Sequence, residues 1–233
     1  MYRNIRIMNL PIILINFKSY KEATGDRALC LAEICEELST RYKTTIAVVP
    51  QYIDLKEICR KVEIPVFAQH IDAIEKSGAY TGHVVAENLK EIGTTGTLIN
   101  HSEKKLKLGE IEKCVEIARK NDLISVCCAA ESEEAEAIAR FNPDFIAIEP
   151  PELIGSGISV STAKPEVVVN SIKNIQEVNP KIKVLCGAGI SSGEDVRKAL
   201  ELGTCGVLVA SAVVKASNPE KILEELVKAG LNI

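Results

Sequence analysis

Eight short apolar runs punctuate the chain, and hardly any polar residue falls inside them. They read IILINF (12–17), TIAVVP (45–50), PVFAQ (65–69), TLIN (97–100), LISVCCA (123–129), FIAIE (145–149), IKVLCG (182–187) and GVLVAS (206–211). Continuous apolar runs, rather than alternating ones, predict strands covered on both faces, as in a parallel sheet flanked by helices. Their starts lie about 20 to 38 residues apart, the length of one strand–helix unit.

The intervening segments carry helical periodicity. DRALCLAEICEELSTRY places Leu29, Ala32, Ile34 and Leu38 near one face, and GEIEKCVEIARKN repeats Ile111, Val115 and Ala118 with charges opposite. SGEDVRKALELG opens on Ser192 as an N-cap, carries acids in its first turn and stops at Gly203. ESEEAEAIARF also loads acids onto a helix start, where the helix dipole favours them, and reads as a solvated cap.

Eight such units predict an α/β fold, a closed (β/α)8 barrel formed by a single domain over residues 1–233. A doubly wound open sheet is the alternative, but it does not need eight parallel strands in this length. The dinucleotide-binding pattern G-x-G-x-x-G is also absent after the first strand.

Composition narrows the function classes. The net charge of −4 and the lack of a Lys/Arg cluster with interleaved aromatics speak against nucleic-acid binding. The apolar run Leu10–Ile15 is too short for a signal segment, and no stretch approaches a membrane span. The eight cysteines fall inside predicted helices (Cys30, Cys35, Cys59, Cys114) or at predicted strands (Cys127, Cys128, Cys186, Cys205), with no C-x-x-C pair. They read as small buried hydrophobes of a chain kept in the reducing cytoplasm. His70, His83 and His101 are scattered without metal-ligand spacing, so no metal is expected.

In a (β/α)8 barrel the chemistry sits at the carboxyl ends of the strands. There the sequence places Asn16 and Lys18 after the first run, His101 followed by Glu103 after the fourth, and Glu149 at the end of the sixth. A carboxylate at the edge of an apolar layer is costly to desolvate, so Glu149 stands out. Glycines and small residues follow the sixth, seventh and eighth runs, where barrel phosphate sites are commonly built. Singly these signals are weak; their convergence on one rim is not.

Together NFK, NHSE, IEPPELIGSG, CGAG and GVLVAS, in that order along nearly the whole chain, resemble the triosephosphate isomerase family. VVPQYIDL, FAQH, GAYTGHVVAENLKEIG and STAKPE support the resemblance, and the short chain is similar to the compact archaeal type. The resemblance implies the TIM-barrel fold and interconversion of dihydroxyacetone phosphate and glyceraldehyde 3-phosphate through an enediolate, in glycolysis and gluconeogenesis. It implies no cofactor, and assembly as a homotetramer, with a homodimer as the alternative.

Carried over residue by residue, the resemblance makes Glu149 the base and His101 a neutral electrophile, a role for which this family is itself the stock example. Lys18 then supplies positive charge to the substrate and Asn16 orients the oxyanion side. Glu103 is the acidic neighbour of the lysine or, equally, a helix-start carboxylate. Ile154, Gly155, Gly189, Ala210 and Ser211 bind substrate, the small ones through backbone N–H groups at the phosphate, with Gly187 in support. The chain departs from the family pattern at Glu152, where a tryptophan is usual, at Cys186-Gly187-Ala188-Gly189 and at Ala210-Ser211. These changes bear on how the strand-6 loop latches. Another phosphosugar barrel, such as an aldolase or a phosphoribosyl isomerase, or a catalytically silent phosphate-binding barrel, are the alternatives. A Schiff-base aldolase, however, calls for lysine where Glu149 stands.

Overall fold

A computed structural model describes residues 8–150, 153 and 159–231. Eight parallel strands form one sheet in the order β2-β1-β8-β7-β6-β5-β4-β3. They are β1 (Ile12–Asn16), β2 (Thr45–Val49), β3 (Phe67–Ala68), β4 (Gly96–Ile99), β5 (Ile124–Ala129), β6 (Phe145–Ile148), β7 (Lys183–Cys186) and β8 (Gly206–Val209). A parallel bridge between Val48 and Val66 joins the two ends of this order and closes the barrel. Each predicted run coincides with one strand, β4 starting one residue early at Gly96, and the expected architecture is the one observed.

β3 is the exception in length, with two residues against the five predicted. Pro65 opens that run, and a proline has no N–H to give to a ladder. The seam therefore rests on Val48 N–H donating to the Pro65 carbonyl at 3.1 Å. The Gln69 side chain extends it by donating to the Val49 carbonyl at 3.3 Å.

Two apolar layers explain why the runs do not alternate. Ile12, Leu14, Phe67, Leu98, Phe145, Ala147, Leu185 and Leu208 fill the barrel interior. Ile13, Ile15, Ile46, Val48, Ile99, Ile146 and Ile148 face outward onto the helices. Both parities of each strand are thus buried, which is the condition for a continuous apolar run. Burial of this kind stabilises by roughly 25 cal/mol per Å² of apolar surface removed from water.

The surrounding helices include α1 (Asp26–Tyr42), α2 (Tyr52–Lys61), α3 (Ala86–Glu91), α4 (Leu108–Lys120) and α5 (Ser132–Ala139). They continue with α6 (Val160–Ala163), α7 (Pro165–Val178), α8 (Gly193–Glu201), α9 (Ser211–Val214) and α10 (Pro219–Leu231). α1 spans the predicted segment, but its buried face is Ala28, Leu31, Ala32, Cys35 and Leu38. Leu29 and Ile34 flank that face, so the predicted stripe is rotated by part of a turn. Ile111, Val115 and Ala118 are buried on α4 as expected. Ser192 caps α8 in a capping box with Asp195, each side chain accepting from the other's backbone.

Six of the eight cysteines are buried, whereas Cys30 is exposed and Cys205 half-buried, so the uniform reading of them as core residues fails at two positions. Among the described residues no helix is long and apolar enough to cross a membrane. Nor do any three His, Cys, Asp or Glu side chains there form a group that could hold a metal ion.

Candidate active site

Strand parity aims the polar residues. Along β1, Ile12 and Leu14 point into the barrel, and Asn16 continues that series at its carboxyl end. Likewise Glu149 follows Phe145 and Ala147, Gly187 follows Leu185, and Ala210 follows Leu208. The interior layer is apolar until the strands end, and there it turns polar. The resulting cleft, of about 260 Å³ and open at its mouth, is lined by Asn16, Lys18, His101, Glu149, Gly187, Gly189, Ala210 and Ser211. Eight of the predicted site residues therefore meet in one place.

Asn16 is buried, and its Oδ1 accepts the Lys18 N–H at 2.9 Å. This local turn holds Lys18 at φ 47, a left-handed conformation that non-glycine residues rarely adopt. Gln69 Nε2 donates to the Lys18 carbonyl at 2.9 Å, so the backbone around the lysine is fixed from both sides. Gln69 escaped the sequence reading. Its only signal was a polar residue at the end of the third apolar run.

His101 is buried and begins a short 3-10 turn, Ser102–Lys104. Its Nδ1 accepts the Glu103 N–H at 3.2 Å. A nitrogen that accepts carries no proton, so the ring is the neutral tautomer with its hydrogen on Nε2. Burial first, then the positive charges of Lys18 and Lys105, push the imidazole pKa down to about 4. Glu103 thus serves His101 through its backbone. Its side chain lies along the adjoining groove shared with Lys18, and among the described residues no ion pair joins the two. Glu103 stands in the first turn of that short 3-10 helix and lines the same groove as Lys18.

Glu149 lies opposite, with Oε1 3.7 Å from His101 Nε2 and a side chain only 4% exposed. Burial drives its carboxyl pKa up to about 7, tempered by the Cys128 thiol and by the charges of Lys18 and Lys105. By hydrogen-bond geometry Oε2 is buried without a partner among the described residues. A thiol is a weak donor and only softens this isolation. Gly187 leaves room for the carboxylate, since a Cβ there would stand 2.5 Å from Glu149 Cγ.

The far wall is built from backbone. Gly189 has φ 70, open to glycine at little cost, and Ala210 precedes the short helix α9 that begins at Ser211. Tyr20, another residue the sequence did not flag, lines the same cleft and carries the Lys215 ammonium 4.3 Å above its ring. Ile154 and Gly155, together with Glu152, lie outside the described residues.

His70 and His83 take no part in the cleft and flank Asp72 instead. His70 Nε2 is 3.3 Å from Asp72 Oδ1, and His83 Nδ1 is 3.4 Å from Oδ2.

A parallel eight-stranded barrel whose rim gathers a buried carboxylate, a neutral imidazole and an ammonium defines a barrel enzyme equipped to move protons. The chain belongs to the triosephosphate isomerase family, whose family model matches residues 11–228. A triosephosphate isomerase from Methanothermus fervidus is 55% identical over 220 residues, covering 94% of this chain and 99% of the relative. One from Methanocaldococcus jannaschii is 50% identical over 217 residues, covering 93% and 99%. One from Methanosarcina barkeri is 49% identical over 221 residues, covering 95% and 99%.

Proposed function

We propose that this chain interconverts dihydroxyacetone phosphate and D-glyceraldehyde 3-phosphate by moving a proton between adjacent carbons through an enediolate. The observation that carries the reading is the pairing of Glu149 and His101, whose surroundings shift them to suit opposite tasks. A carboxylate with a pKa of about 7 is a far better base than one in bulk water, yet is still half ionised near neutrality. It takes the proton from the substrate carbon.

His101, neutral and with its hydrogen on Nε2, donates to the carbonyl oxygen as negative charge develops there. A protonated imidazole would bind the oxyanion more tightly, but its charge would have to be desolvated at this buried position. Lys18 supplies the positive charge, held in place by Asn16 and Gln69. The backbone at Gly189, Ala210 and Ser211 receives the phosphate, joined by Ile154 and Gly155 from the strand-6 loop. The electrons released by the proton flow into the substrate's own carbonyl, so the reaction calls for no cofactor.

The reading takes residues 1–233 as one barrel domain acting in glycolysis and gluconeogenesis in the cytoplasm. It takes the assembly as a homotetramer, on the resemblance to the compact archaeal type. The decisive test is a coupled isomerisation assay on the purified chain in both directions. Absence of turnover with either triose phosphate would overturn the proposal. Light scattering at working concentration tests the tetramer.

A further inference from the structure

The acids at the start of α5 do not all face water as a solvated cap should. Glu134 turns inward and becomes the hub of a network. Its Oε1 accepts from Asn100 Nδ2 at 2.9 Å and from Lys105 Nζ at 2.7 Å. Its Oε2 accepts from the Ala130 N–H at 2.7 Å and from Lys105 Nζ at 3.0 Å. Burial alone would raise the carboxyl pKa, yet the Ala130 N–H, Lys105 and Asn100 together hold it below the usual carboxylate range. Charge-assisted bonds of this kind are stronger than neutral ones, and two of these partners are not solvated surface groups.

Asn100, the residue immediately before His101, is 1% exposed. Its φ of 62 is left-handed, a conformation that asparagine accepts more readily than most residues with a side chain. Its Nδ2 donates also to the Cys128 carbonyl at 2.9 Å, and its Oδ1 accepts the Leu106 N–H at 2.9 Å. The segment 100–106 is therefore fastened at both ends to the same carboxylate, by Asn100 at one and Lys105 at the other. His101 sits between these anchors, with its carbonyl accepting the Lys104 N–H at 2.7 Å. Lys105, so held, also places its charge where both His101 and Glu149 feel it.

We propose that Glu134 is a positioning residue for His101: acting through Asn100 and Lys105, it fixes the turn that sets where the imidazole points. The inference rests on the reading of His101 as the electrophile. Glu134 lies on a helix outside the cleft and touches no reacting atom. Removing it frees Lys105 and takes one of two acceptors from the Asn100 amide, which keeps the Cys128 carbonyl, so the turn loses its tie to α5 at both anchors. A small misplacement of a group that acts in the transition state costs turnover far more than binding.

The test uses Glu134→Ala and Asn100→Gly in the full chain, with kcat and KM measured separately. Glycine at 100 accepts the left-handed backbone and deletes the side chain that carries the amide. Each variant is expected to lose about tenfold in kcat while KM stays within about twofold. The double variant is expected to lose no more than the worse single one, because both break one network. Wild-type kcat in either folded variant, or losses that multiply in the double, would overturn the proposal. Should Glu134→Ala fail to fold, Glu134→Gln keeps one acceptor oxygen and takes the same test, with a smaller loss expected and wild-type kcat again fatal. His101→Gln is measured alongside. If its kcat is unchanged, the reading of His101 fails; if it falls while the Glu134 variants stay at wild type, only the positioning role fails.

Discussion

Glu149 Oε1 lies 3.7 Å from His101 Nε2, with both side chains almost fully buried and neither held as an ion pair of fixed charge. Burial favours the neutral form of each, moving the carboxyl up to about 7, where it is half ionised near neutrality, and the imidazole down to about 4. An ionised Glu149 beside a protonated His101 would be a salt bridge, and a salt bridge makes a poor base. The low pKa of His101 prevents that state across the physiological range.

Glu149→Gln is expected to fold and to lose about 10³-fold in kcat, since a positioned general base contributes on the order of 10² to 10⁴. A coupled assay checks it, and a rate near wild type would remove Glu149 from the mechanism.

The pH profile of kcat/KM follows from the same group. Activity requires Glu149 ionised, so kcat/KM is expected to fall tenfold per unit as pH drops below about 7. His101 adds no further acid limb until about 4. A profile flat from pH 5 to pH 8 would contradict the assignment. Stability carries the opposite sign. A carboxyl whose folded pKa is raised from 4.5 to about 7 favours the folded state below 4.5, and that contribution is lost as pH climbs through 7. Glu149→Gln should therefore gain in Tm over the parent as pH rises through this window, with no gap below it.

Lys18→Met is expected to raise KM and lower kcat together, costing about 10²-fold or more in kcat/KM, because the charge acts on bound substrate and on the developing enediolate alike. Steady-state kinetics decides it; unchanged kcat would confine Lys18 to binding.

Gly187→Ala brings a Cβ to within 2.5 Å of Glu149 Cγ, so the carboxylate has to shift. Overpacking of this kind costs about 1 to 3 kcal/mol. The expected signature is a folded protein with kcat reduced by about 10- to 100-fold. Thermal denaturation and kinetics on one preparation separate the two effects.

Ser192→Ala removes one half of the capping box of α8 and is expected to cost about 1 kcal/mol in stability with kcat unchanged. Chemical denaturation measures it, and a loss of turnover would mean that α8 helps shape the cleft.

The local rules were readable in the chain. Apolar runs with both parities buried gave eight strands, 3.6-residue periodicity gave α1 and α4, and Ser192 with acids three residues on gave the start of α8. Asn16, Lys18, His101 and Glu149 were legible because each stands at the end of an apolar run or just past it, where a polar residue is conspicuous. Asn100 and Gln69 also end apolar runs, and Glu134 lies among other acids at a helix start, but their tasks were not legible because their partners are distant in sequence. Glu134 meets Asn100 across 34 positions, and Gln69 meets Lys18 across 51.

The sequence by itself determined the elements and the parity that aims polar side chains into the mouth of the barrel, because these follow from periodicity and from short-range sterics. Only the tertiary structure decided how the charges behave. Pairing of β5 with both β4 and β6 brings the ends of those two strands to one rim, so that Glu149 and His101 share a cleft in which both are buried. Desolvation is a property of the assembled surroundings rather than of any residue. That is why a pKa near 7 for a glutamate, and a carboxylate on α5 that holds a histidine's turn, appear only once the chain has closed on itself.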